Sequence, residues 1–230
     1  MTRKYLEDIT GIVTGSNMDN RFSRNFALTH CGFKGEVHYG DSVWVFKSHV
    51  PNVQANFTRQ FISKAVVCVR NPFDVACSAI QLRLTYTHSL SARNNVATEF
   101  PALWNEYLVQ TTRLYNNTLE YWTQAAARRA VPVHFFRYED MLSDPLGVLK
   151  GLLAFMLGVE SVEGTFVWHR AQQVVAQDQR TRSIYTPRSG GVIKNMSQFS
   201  PEQVDFVLKQ SARFIRFFNY TGLLKPLTDE

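Results

Sequence analysis

Ala65-Val66-Val67-Cys68-Val69 runs into Arg70-Asn71-Pro72-Phe73-Asp74, and Ser78 follows one helical turn after Asp74. The apolar run has the length and Val content of a buried parallel strand. Pro72 suits the first turn of a following helix, where its missing N–H costs nothing. Arg70 is thereby placed at a strand's carboxyl end, where open α/β sheets take their ligands. A helix N-terminus with an Arg fork and a Ser hydroxyl is a seat for a phosphate. The same spacing equally allows an Arg70–Asp74 ion pair that merely staples the turn.

Outward from this segment, strands and helices alternate. Residues 43–46 form a strand that delivers Lys47-Ser48-His49, and residues 133–136 form another that ends at Arg137-Tyr138-Glu139-Asp140. The helix opened by Asn71-Pro72 is expected to run to about Arg83. A long amphipathic helix follows Pro101, with Trp104, Tyr107, Leu108, Thr111, Leu114, Tyr115, Leu119 and Trp122 at spacings of three and four, a core stripe. Asp144-Pro145 is an N-cap and N1 pair opening a helix through Leu157, and Ser200-Pro201-Glu202-Gln203 is a capping box. Near the start, Arg3 to Ile12 reads as the end of a helix closed by Gly11 or Gly15, before a Gly/Asn/Ser-rich loop through His38. Residues 171–199 are polar and basic and give no assignment. The alternation predicts an α/β fold, a parallel β-sheet flanked by helices, in a single domain over residues 1–230.

A 45% hydrophobic content over 230 residues can fill such a core. The net charge of +6 is scattered and not blocked, which fits a nucleotide or acidic small substrate and argues against nucleic acid. No stretch has the length of a membrane span, and the N-terminus has no signal-peptide core. Cys31, Cys68 and Cys77 lack metal-ligand spacing and read as small buried hydrophobes. Asn-x-Ser/Thr sequons at Asn56, Asn116, Asn195 and Asn219 hint at a secretory-pathway parent, although each serves equally as a polar surface residue.

Chemistry is expected where the three strand ends converge on one edge of the sheet. In an extended segment Lys47 and His49 lie on one side, so His49 can take a proton from a hydroxyl while Lys47 stabilises charge on a transferred anionic group. A surface Lys beside a backbone-bonded His is the commoner use of such a pair. The basic, glycine-bearing run Arg188-Ser189-Gly190-Gly191 with Lys194 can wrap a phosphate, or be a solvated loop. Motifs for P-loop kinases, Rossmann dehydrogenases, zincins and α/β-hydrolases are missing from the sequence.

In order along the chain, Lys47-Ser48-His49-x-Pro51, Arg70-Asn71-Pro72-x-Asp74-x-x-x-Ser78, Tyr138-Glu139-Asp140-Met141 and Arg188-Ser189-Gly190 with Phe199-Ser200-Pro201-Glu202-Gln203 resemble the segments of the sulfotransferase family. Thr10–Ser16 and Gly32–Glu36 resemble the WSC-domain-containing sulfotransferases, Golgi membrane proteins. The resemblance implies a P-loop-containing nucleoside triphosphate hydrolase-like fold. It also implies metal-free, in-line transfer of a sulfuryl group from 3′-phosphoadenosine 5′-phosphosulfate to an acceptor hydroxyl, of carbohydrate by subfamily. By position, Arg70 and Ser78 hold the 3′-phosphate, Tyr138 meets the adenine, and Arg188, Ser189 and Gly190 close over the 3′-phosphate. His49 is the general base, and Lys47 steadies the transferring group. The parent protein is then Golgi-resident and membrane-anchored.

Family members begin with a strand and a Lys-Ser-Gly-Thr-Thr type loop that grips the 5′-phosphosulfate, and no such loop is found here. The sequence is therefore expected to begin inside the fold, missing the first strand and loop, and to be inactive or nearly so, although its parent family transfers sulfate. One oxyanion donor alone is worth ~3 kcal/mol of transition-state stabilisation. Ser189 replaces the family's usual Lys and removes one phosphate charge. The other reading is a non-catalytic nucleotide-binding or partner-binding protein.

Overall fold

The computed structural model describes residues 1–16, 32–36, 38, 42–49, 51, 62–85, 96–181 and 198–224. The fold is α/β, with parallel strand pairing and flanking helices. The chain divides into two compact units. The first comprises Met1–Val67, Arg129–Phe136 and Asp140–Thr186; the second comprises Cys68–Arg128, Arg137–Glu139 and Pro187–Glu230.

The first unit opens with helix α1 (Thr2–Thr10), closed by Gly11 in the left-handed conformation at φ 71°. Three two-residue strands follow, β1 (Gly15–Ser16), β2 (Gly35–Glu36) and β3 (Phe46–Lys47), paired in parallel in the order β2-β1-β3. The loop expected up to His38 thus contains two strands, and the strand expected at 43–46 is shorter and shifted towards Lys47. Their pairing rests on close backbone approach. A Cβ at Gly15 would lie 2.0 Å from the His38 carbonyl oxygen, and one at Gly35 would lie 2.2 Å from that of Thr14. These glycines look like loop composition in sequence but serve as strand contacts.

Helices α6 (Pro145–Leu157) and α7 (Phe166–Thr181) complete the core of this unit, in which Leu149, Leu152 and Leu153 pack with Leu6, Ile9 and Val175. Asp144 caps α6 by accepting from the Gly147 N–H at 2.9 Å, as expected. The Lys64 ammonium donates to the carbonyls of Phe155 (2.7 Å) and Met156 (3.1 Å), neutralising the negative end of α6. Helix α7 falls largely within residues 171–199, the polar stretch that resists assignment in sequence. Its apolar residues are few, but Ala171, Val174 and Val175 are buried at spacings of three and four. Asp178 extends that face by accepting from the Tyr5 hydroxyl at 2.6 Å. The stripe is narrow, and its polar surroundings mask it.

Strand β4 (Ala65–Val69) pairs with β5 (Val133–Arg137) in a two-stranded sheet, so the described strands are hydrogen-bonded in two groups. Burial along β4 alternates: Ala65, Val67 and Val69 are inside, while Val66 and Cys68 are exposed. The fully buried strand and the buried Cys68 expected from composition are corrected accordingly, since only one face of β4 is covered. Cys77 is buried as expected, and burial with Asp74 nearby pushes its thiol up to about 12.

In the second unit, α2 (Pro72–Thr85), a short helix α3 (Val96–Glu99), α4 (Pro101–Ala127) and α8 (Pro201–Phe217) pack together. Of the predicted stripe of α4, Trp104, Leu108, Thr111, Tyr115 and Leu119 are buried, whereas Tyr107 and Trp122 are half-buried and Leu114 is exposed; Thr112 and Thr123 are buried as well. Phe199 sets its ring edge-on to Phe73 at 5.3 Å and to Trp104 at 5.4 Å, joining three elements. The Ser200 capping box forms, and Gln203 also accepts from the Trp104 indole N–H at 3.2 Å. Helix α5 (Tyr138–Ser143) follows β5 directly, and α9 (Thr221–Leu224) ends the described chain.

Candidate functional site

The Arg70 segment is built around a buried carboxylate. Asn71, wholly buried, caps α2 with its side-chain carbonyl, which accepts from the Asp74 N–H at 2.9 Å. Its amide donates to Asp74 Oδ2 and to Glu139 Oε1, each at 2.8 Å, and its backbone N–H donates to Glu139 Oε1 at 2.9 Å. The Tyr220 hydroxyl donates to Glu139 Oε2 at 2.7 Å. Burial and the neighbouring Glu139 carboxylate push the Tyr220 phenol far above its usual range, so it stays a donor. Three buried donors on one carboxylate fix the junction between β4 and α2.

Arg70 lies on the rim of that frame. Its guanidinium is 4.5 Å from the centroid of the Tyr138 ring, and Nη2 is 3.5 Å from Asp74 Oδ2. The ion pair that spacing allowed is therefore present, but long, and it does not exhaust the guanidinium: Nε is buried without a hydrogen-bond partner. The structure thus brings together Arg70 and Tyr138, the residues expected at the 3′-phosphate and the adenine. Ser78 lies half-buried on α2, one turn beyond Asp74, and its hydroxyl has no hydrogen-bond partner among the described residues. Arg188, Ser189 and Gly190 lie outside the described residues.

Lys47 and His49 belong to the first unit. Strand β3 ends at Lys47, so the alternation expected to turn both side chains one way does not extend to His49, which is exposed. Lys47 is no surface lysine; it is partly buried. Burial lowers its pKa, the Arg3 charge lowers it further, and the Glu36 carboxylate opposes both. Among the described residues the Lys47 ammonium makes no hydrogen bond or ion pair. Close by, Arg3 pairs with Glu36, and its other nitrogens donate to Thr14 Oγ1 at 2.8 Å and to the Thr14 carbonyl at 3.0 Å.

A cation at a β-strand terminus, a guanidinium stacked on a Tyr and a capped helix start can all meet an oxyanion. The family profile described as the sulfotransferase domain matches residues 37–207, well over half of the sequence. The chain belongs to the sulfotransferase domain family. No curated protein and no solved structure matches it at a significant level. No described helix is long and apolar enough to cross a membrane.

Sequence reasoning did not assign roles in this sulfotransferase-family chain to Asn71, Glu139, Tyr220, Arg3 or Glu36. For Asn71 and Glu139 the signal was available. An Asn before a helical Pro is an N-cap, and an acid directly after a strand needs a donor if it is buried. Tyr220, Arg3 and Glu36 lie outside the matched 37–207 and carried no such signal.

Proposed function

We propose that this protein moves a sulfuryl group from 3′-phosphoadenosine 5′-phosphosulfate to an acceptor hydroxyl, with carbohydrate as the acceptor class and the Golgi lumen as the place of action. The observation that carries the reading is Arg70: in a sulfotransferase-family chain, its guanidinium rests on the Tyr138 ring and keeps a buried, unpartnered Nε. An Arg fork of this kind suits a phosphate, and the ring beside it offers a face to a base. Ser78 adds a hydroxyl donor for the same phosphate, and Arg188, Ser189 and Gly190 close over it. Lys47 offers charge to the transferring group, and His49 takes the acceptor proton. The exposed Asn219 sequon agrees with a secretory-pathway location, whereas the Asn116 amide is spent on the Gln210 carbonyl at 3.0 Å.

The test is calorimetric titration with adenosine 3′,5′-bisphosphate. Saturable binding is expected, with affinity lower by roughly 10- to 100-fold in Arg70→Ala, the worth of a charge-assisted contact. Absence of saturable binding, or binding that ignores Arg70→Ala, overturns the reading. Transfer of label from donor to a glycan panel, compared with steroid and phenol acceptors, then tests the acceptor class.

A further inference from the structure

The carboxyl ends of β2, β1 and β3 are Glu36, Ser16 and Lys47, and the register pairs Ser16 with both of the others. In-register residues of a parallel sheet project from the same face, and two strand spacings set Glu36 and Lys47 about 10 Å apart at Cα. That separation is within the joint reach of a Glu and a Lys side chain. An acid and a base so placed on a partly buried row ordinarily pair, yet here they do not. Glu36, with 6% of its side chain exposed, is taken by Arg3 of α1. Arg3 is itself held on every side: Thr14 accepts twice, Thr14 is fixed in turn by donating its N–H (2.8 Å) and hydroxyl (2.7 Å) to Glu7, and the guanidinium lies 4.6 Å from the Phe33 ring centroid.

We infer that Arg3 is a positioning residue for Lys47: by occupying Glu36 it keeps the Lys47 ammonium unpaired and available to an anionic group, of which the sulfuryl oxygens of the donor are the class in point. A direct Lys47–Glu36 pair is neutral and has little left for an oxyanion. The three-residue arrangement keeps one positive charge in excess. The inference rests on the proposed role of Lys47 and deepens it. The charged groups acting on Lys47 are Arg3 from α1 and Glu36 from β2, while Glu7 on α1 is already engaged through Thr14.

The two neighbours act on Lys47 with opposite sign, which makes the test specific. Lysine side-chain NMR titration of the full chain, with Lys47→Arg to assign the resonance, reads the Lys47 midpoint whether or not the chain turns over. Glu36→Gln is expected to move the midpoint down. Arg3→Gln is expected to move it up, because Glu36 is freed to pair with Lys47, and the double variant is expected to return towards wild type. Charge alone would raise the midpoint equally with or without Glu36, whereas positioning makes most of the Arg3→Gln rise depend on Glu36, so a rise of the same size in the Glu36→Gln background, or no rise at all, overturns the inference. If Arg3→Gln does not fold, Glu36→Gln together with Arg3→Lys decides: the first must lower the midpoint, and the second must hold it at the wild-type value. Adenosine 5′-phosphosulfate added to the wild type tests the other half. Perturbation of the Lys47 signal, lost in Arg3→Gln, is expected. Opposed shifts without any nucleotide response leave the positioning intact and refute the proposed function of Lys47.

Discussion

The polar cluster around Glu139 and the one around Glu36 are held by different forces. Around Glu139, buried donors converge on one carboxylate, each at 2.7–2.9 Å, and the geometry follows from hydrogen bonding. Around Glu36, placement follows from strand register, and charge decides which partner the acid takes. A frame of directional bonds fixes a loop and loses heavily when any member is removed. A balance of charges fixes which group is left over, and it responds to substitution by redistributing rather than by collapsing.

The largest effect is expected from Glu139→Ala. It strands the Asn71 backbone N–H and the Tyr220 hydroxyl in a buried site, each costing about 1–3 kcal/mol, and leaves the Asn71 amide only its bond to Asp74. A loss of at least ~3 kcal/mol in denaturant unfolding is expected, with adenosine 3′,5′-bisphosphate binding abolished. A loss under 1 kcal/mol shows that the carboxylate is incidental. Tyr220→Phe removes one donor and leaves Asn71 in place, so about 1–2 kcal/mol is expected. Nucleotide affinity should fall only slightly, since Arg70 still rests on Tyr138. Glu36→Gln should cost less than Glu139→Ala, because Arg3 keeps both Thr14 contacts.

What the sequence made legible divides along the same line. The β4–α2 junction could be read because its parts are local: an apolar run, Asn-Pro at a helix start, and an acid one turn on. The closing pieces, Glu139 and Tyr220, lie 68 and 81 residues further along their bonded pairs and could be found only by folding the chain. The sheet carrying Lys47 was scarcely legible. Its strands are two residues long, below any periodicity, and glycines that look like loop composition supply the close approach. Helix α7 was hidden by its polar surface, and the alternation of β4 by an unbroken apolar composition. The family segments pointed to Lys47, Arg70 and Tyr138 without showing why Arg70 keeps a donor in reserve or why Lys47 makes no hydrogen bond or ion pair among the described residues.

The smallest effect separates the two clusters by the sign of their response to alkali. Lys47 is pushed below its ordinary 10.5 by burial and by Arg3, so between its lowered pKa and 10.5 the unfolded chain binds the extra proton and stability rises with pH. Tyr220 is pushed above its ordinary 10.0 by burial and by Glu139. Its contribution is complete below pH 10 and is lost as pH climbs towards its folded pKa, because the unfolded chain then gives up the proton first. Denaturant unfolding followed from pH 8 to 11 should therefore show a steeper alkaline loss in Lys47→Met than in wild type, and a shallower one in Tyr220→Phe. Parallel curves for the two variants would mean that burial and Arg3 do not disfavour the Lys47 proton, or that burial and Glu139 do not retain the Tyr220 proton, in the way the geometry requires. Opposed slopes would tie each charge to its own cluster, with Tyr220 acting as an obligate donor and Lys47 as a cation held in an unfavourable place, available to an incoming anion.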